Sequence, residues 1–229
     1  MGHVEQNLNR VRQKIKASAD KAGRNIDDIT LVAVTKNVAI ADIEAAVASG
    51  VTTLGENRVQ EFMKKIDQLQ NPPVRWHMIG TLQSNKVKYI YDKVELIHSL
   101  DRLSLAKEIQ KYARYLGRPI SCLVEVNVAQ EESKEGLQID EVPAFLKQLT
   151  ELEGLTVQGL MTMAPYTENP EEVRWVFRKL RELSLELAEL KLEGVAMREL
   201  SMGMSNDLEV AVEEGATLVR VGTAIFGGN

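Results

Sequence analysis

Cysteine is nearly absent from the 229-residue sequence, where Cys122 stands alone. That excludes an intrachain disulfide and every zinc or iron–sulfur arrangement needing several thiolates. Histidine is scarce too: His3, His77 and His98 have no close His or carboxylate spacing, so no metal site is expected. No apolar run approaches the roughly 18 residues of a membrane span. No signal-peptide pattern opens the chain, so a soluble protein of the cytoplasm is the expectation. A surplus of positive charge is also lacking. Lys plus Arg number 28 against 33 Asp plus Glu, a net charge of −5, which gives no footprint for nucleic acid or an acidic membrane. Pro/Gly/Ser-rich linkers, low-complexity tracts and shifts of composition are missing, so one domain over residues 1–229 is expected.

What is there is a normal globular balance, 44% hydrophobic and 27% charged, enough for a real core. Short β-branched runs alternate with longer amphipathic stretches, the pattern of repeated βα units around a parallel sheet. The strands are expected at Leu31–Lys36, Thr53–Asn57, Arg75–Gly80, Glu95–Leu100, Ser121–Val128, Leu155–Met163, Arg198–Gly203 and Thr217–Thr223. The clearest helical pattern runs from Glu171 to Lys191, with Val173, Phe177, Leu180, Leu183, Leu187 and Leu190 on one face. Asn169 and Pro170 suit its start and Gly194 its stop. A leading helix from about Val4 to Ala22, within residues 1–25, precedes the first strand, while almost nothing follows the eighth. It is expected to take the place of the missing last helix. The fold class is therefore α/β, a single-domain (β/α)8 barrel with an extra N-terminal helix, and an open doubly wound sheet is the alternative.

In such a barrel the chemistry lies at the C-terminal ends of the strands. Lys36 ends an aliphatic run whose face it shares with Val32 and Val34, so partial desolvation is expected to favour its neutral amine and Schiff-base formation. The alternative is a solvated lysine. "SMGMSND" at 201–207 and "VRVGTAIFG" at 219–227 follow the seventh and eighth strands, where barrels seat phosphate on backbone N–H groups. Arg220 is expected inside the barrel, two residues deeper than Gly222, on a ligand acceptor or paired with an acid such as Glu125. His77 reads as a satisfied core histidine and the methionines at 161–163 and 202–204 as packing. Glu131–Glu132 and Glu213–Glu214 read as solvated faces.

"AVTK" with Lys36, "GENRVQE" at 55–61, "WHMIGTLQSNK" at 76–86, "GLMTMAP" at 159–165, "SMGMSND" and "VRVGTAIFG" together resemble the YggS-type pyridoxal-phosphate homeostasis proteins. The resemblance covers essentially the whole chain, with every block in order. It implies a barrel similar to the N-terminal domain of alanine racemase, with pyridoxal 5′-phosphate (PLP) on Lys36 as a Schiff base. It also implies Ser201, Gly222 and Thr223 at the phosphate, Asn57 near the ring, and Arg220 at the pyridine nitrogen. The function implied is non-catalytic: binding the cofactor in vitamin B6 and amino-acid/keto-acid balance, with PLP-dependent apo-enzymes as acceptors. An arginine at the ring nitrogen and a length filled by one barrel argue against racemase-type turnover. A cryptic PLP enzyme and a Schiff-base aldolase-like barrel are the competing readings.

Overall fold

Val4, Leu8, Val11, Ile15 and Ala19 recur at three- and four-residue spacing, and helix α1 (His3–Lys21) buries that stripe. The computed structural model describes residues 2–69, 73–131 and 135–227. Eight strands follow α1: β1 (Thr30–Val34), β2 (Thr53–Glu56), β3 (Arg75–Met78), β4 (Leu96–Leu100), β5 (Ile120–Glu125), β6 (Leu155–Met161), β7 (Val195–Ser201) and β8 (Leu218–Val221). They close a barrel in sequence order, each parallel to the next, and β1 pairs with β8 to seal it. Helices α2 (Ile40–Ala48), α3 (Val59–Gln68), α4 (Leu103–Leu116), α5 (Val142–Leu149), α6 (Arg174–Ala188), α7 (Leu208–Glu213) and α8 (Thr223–Phe226) occupy the crossovers and the end of the chain. The third crossover is a 3-10 segment, Ser84–Tyr89, where a helix was expected. Helix α1 packs on α2, α7 and α8, filling the seam left by the four-residue α8.

Alternation decides what faces the barrel axis. Val32, Leu96, Leu123, Met161 and Leu218 form a small interior cluster, separate from the larger apolar layer between strands and helices. On β3, β4, β7 and β8 the same inward face also carries His77, His98, Ser201 and Arg220, all buried. Polar groups at such depth are stable only when they bond to one another or to a ligand.

Several expected boundaries shift. The ladders stop before Lys36, Asn57, Gly80 and Gly222, which sit in the turns beyond the strands, and before Thr223, which opens α8, so backbone groups there are released from ladder pairing. The long helical pattern opens as a 3-10 turn, Pro170–Val173, with Asn169 accepting the Glu171 N–H at 3.3 Å. Because α6 ends at Ala188, Leu190 is exposed, and Gly194, at φ 74°, leads into β7 instead of stopping the helix. Glu213 and Glu214 are not solvated: they lie where α6, α7 and α1 meet, and Arg174 bridges them at 2.7 and 3.1 Å. Lys21, Arg178 and Arg181 join the cluster. Glu131 is half-buried, and Glu132 lies outside the described residues. Among the described residues no helix is long and apolar enough to cross a membrane, and no group of three His, Cys, Asp or Glu could hold a metal.

Candidate functional site

The candidate residues cluster on the part of the barrel mouth formed by the turns after β1, β2, β3, β7 and β8. Lys36 follows the last ladder residues of β1 in a turn whose next residue, Asn37, takes φ 57°. Its side chain is exposed, not desolvated over the apolar layer, because the strand ends at Val34 and Thr35 takes the buried position. The turn is nevertheless anchored. Glu56, buried at the end of β2, accepts from the Thr35 hydroxyl at 2.9 Å and from the Asn57 N–H at 2.8 Å. Lys65 of α3 reaches in with Nζ 2.5 Å from the same carboxylate and 2.6 Å from the Thr35 carbonyl. Lys36 and Asn57 thus stand at the two edges of one buried ion pair.

Asn57 is half-buried, and Gly80 packs against it: a Cβ at Gly80 would lie 2.4 Å from the Asn57 carbonyl oxygen. On the other flank of β1, Gly222 lies against Val34, so the β8 turn adjoins the β1 turn that carries Lys36. The N–H groups of Gly222 and Thr223 have no acceptor among the described residues. Ser205, in the turn after β7, accepts the Ala224 N–H at 3.1 Å and is thereby held beside them. Gly203 makes this turn possible, since at φ 91° its missing Cβ would sit 2.6 Å from Ala211.

Beneath the mouth lies Arg220, buried at 4% exposure. Its Nη1 donates to Ser201 Oγ at 2.5 Å and its Nη2 to the Thr162 carbonyl at 2.9 Å. Among the described residues Arg220 has no ion-pair partner, and its remaining N–H groups have no acceptor. Burial lowers its pKa to about 10, with Glu125 and Asp207 opposing through space, so it stays cationic near neutrality. Glu125, two residues above the inward Leu123, is pushed up to about 7 by burial and the Asp101 charge, against the pull of Arg220. Cys122 is buried, which drives its thiol pKa up and leaves it inert.

Ser201 is turned into the barrel, between Arg220 and His98 Nδ1 at 2.9 Å, and does not open on the mouth. His98 Nε2 lies 3.0 Å from His77 Nδ1. His77 is thus a core histidine satisfied at one nitrogen only, since its Nε2 is buried without a partner among the described residues. Burial lowers both imidazoles, His77 to about 4 and His98 well below the ordinary value. The structure therefore brings Lys36, Asn57, Gly222 and Thr223 to one rim and places Arg220 below it, with Ser201 deeper still. Sequence reasoning missed Thr35, Glu56, Lys65, His98, Thr162 and Ser205. Only Ser205 carried a signal, as the second serine of "SMGMSND" in a loop already assigned to anion binding.

This closed parallel barrel with a leading helix and an exposed lysine after β1 defines a class. The family model described as alanine racemase, N-terminal domain, matches residues 4–229. A pyridoxal phosphate homeostasis protein of Aquifex aeolicus (strain VF5) is 48% identical over 220 residues, covering 96% of this chain and 96% of that one. Its counterpart in Escherichia coli (strain K12) is 37% identical over 231 residues, covering 99% and 97%. The solved structure of PipY from Synechococcus elongatus PCC7942 with PLP bound superposes with a TM-score of 0.84 at 34% identity, covering 98% of this chain and 100% of that one. The chain belongs to the pyridoxal phosphate homeostasis protein family.

Proposed function

We propose that this protein binds PLP at the barrel mouth through Lys36 and acts in vitamin B6 homeostasis as a carrier that exchanges the cofactor without turning over amino acids. The observation that carries the reading is Arg220: a buried cation just under the rim, with neutral partners and donors to spare, requires an acceptor from a ligand. A pyridine nitrogen supplies one. The exposed amine of Lys36 suits an aldehyde, and the Ser205 hydroxyl with the Gly222 and Thr223 amides suits a phosphate. Asn57 borders the ring. Ser201, engaged below, is assigned to the support of Arg220 and not to the phosphate.

The bound group supplies an aldehyde carbon for an amine and a ring that withdraws electrons. Arg220 donates and, with a pKa near 10, does not release its proton at neutral pH, so it leaves a ring nitrogen unprotonated and limits that withdrawal. The openness of Lys36 suits exchange, and the acceptors proposed are PLP-dependent apo-enzymes. One observation favours a second reading, the cryptic enzyme: Glu125, near neutral pKa at the mouth, is able to move a proton.

Borohydride reduction of the PLP-loaded protein followed by peptide mapping tests the main reading. A visible band that Lys36→Ala abolishes, with the pyridoxyl group on Lys36, is expected; label mainly on another lysine overturns it. An amino-acid panel separates the two readings. Turnover abolished by Glu125→Gln selects the enzyme, and transfer to an apo-enzyme faster than free release selects the carrier.

A further inference from the structure

Arginine can only donate, and this fixes the direction of the first hydrogen bond behind Arg220. Nη1 donates to Ser201 Oγ, so the serine keeps its own proton for His98 Nδ1. The unprotonated Nδ1 puts the single proton of His98 on Nε2, which donates to His77 Nδ1. His77 in turn carries its proton on Nε2. The opposite assignment, with His98 donating to Ser201, strands two buried groups, the Ser201 hydroxyl proton and the His77 Nε2 lone pair, where the first strands only the His77 Nε2–H. Both rings are held neutral by burial and by the positive charge beside them, so each has a single proton to place. The chain crosses the barrel from the mouth to the opposite end, where His77 lines a cavity of about 330 Å³ together with Glu95, Ser121, Gln158 and Glu199.

We propose that His98, acting through Ser201, is the positioning residue of Arg220, and that Arg220–Ser201–His98–His77 is a one-way hydrogen-bond relay that aims the guanidinium at the ligand. The relay locks both imidazoles as neutral Nε2–H tautomers. It spends one N–H on Ser201 and another on Thr162, so the remaining donors point where no protein acceptor lies. His98 and His77 touch no ligand; they determine which way Arg220 faces. The inference rests on the assignment of Arg220 to the bound ring.

Nitrogen-15 NMR of the two histidines tests the relay in the protein without cofactor, where PLP binding plays no part. Both rings are expected as Nε2–H tautomers and neutral at pH 6. Proton on Nδ1 of either ring, or an imidazolium at that pH, overturns the proposal. With PLP loaded, Ser201→Ala is expected to speed cofactor dissociation about tenfold, the effect of one charge-assisted hydrogen bond, and to shift the visible band, while Ser201→Thr restores both. His98→Phe is expected to act like Ser201→Ala, with folding checked by circular dichroism. A normal band whose position and dissociation rate ignore both variants also overturns the relay. Absence of any visible band in the wild type instead refutes PLP binding, and the tautomers still decide the relay.

Discussion

A neutral imidazole sealed in a barrel makes the molecule sensitive to acid. The folded pKa of His77 is about 4, against roughly 6.5 for an unperturbed imidazole. The unfolded chain therefore binds more protons between these values. Its contribution to stability is complete above about pH 6.5 and is lost as the pH falls toward 4, with His98 acting in the same direction. For His77 the gap corresponds to about 3 kcal/mol. Glu125 runs the opposite way. Its folded pKa of about 7 lies above the unfolded value, so its contribution is present below about pH 4.5 and is lost as the pH rises through 7. Two imidazoles outweigh one carboxyl, so the wild type is expected to lose melting temperature steadily from pH 6.5 to 4.5. Glu125→Gln is expected to gain about 2 kcal/mol at pH 8 and nothing at pH 4.5. Thermal melts at the two pH values check this, and an equal gain at both would show that the charge of Glu125 is not what burial opposes.

At the scale of elements, the ion pair Lys65–Glu56 does for the rim what the relay does below it. Helix α3 sends Lys65 under the ends of β1 and β2, where it holds Glu56 and the Thr35 carbonyl. Lys65→Met leaves a carboxylate buried without its cation and is expected to cost about 3–5 kcal/mol. Adding Glu56→Gln removes the stranded charge and is expected to recover most of that loss in denaturant titration; a double variant no better than the single one contradicts the account. These contacts also mark the limit of legibility. The eight strands and the face of α6 were readable because their patterns are local, set by β-branched runs and by three-to-four spacing. Lys36, Asn57, Gly222 and Thr223 were readable as positions at strand ends. Lys65 was not, because it reaches Glu56 from another element, and His98 was not, because its partner Ser201 is 103 residues away. The desolvation expected of Lys36 failed for a local reason: two residues of turn beyond the ladder are enough to carry an amine into solvent.

Closing the barrel is a property of the whole molecule, and it depends on a helix outside the repeat. With only four residues in α8, the seam between the last and first strands would lie open without α1. Leu8 is fully buried on the packed face of that helix, and Asn7 donates to the Ile225 carbonyl at 3.0 Å. Arg24, just past the helix, satisfies the Val212 and Ala216 carbonyls at 2.7 and 2.8 Å, tying the end of α7 to the entry of β8. The same α8 begins at Thr223, one of the proposed phosphate residues, so packing at the seam and order at the mouth are linked through one short element. Leu8→Ala is expected to cost about 2–5 kcal/mol, because it leaves a cavity at a fully buried position. It is also expected to release PLP faster, through α8. Lys14→Ala breaks an ion pair of the same helix with Glu209 at 3.3 Å, but both side chains are about half exposed. Screening and side-chain entropy make such a pair worth less than about 1 kcal/mol, so that variant is expected to leave melting and release unchanged. Denaturation and stopped-flow release of both variants check the argument. A Leu8→Ala protein that loses stability yet holds PLP as tightly as the wild type would separate the seam from the mouth and leave α1 a purely structural closure.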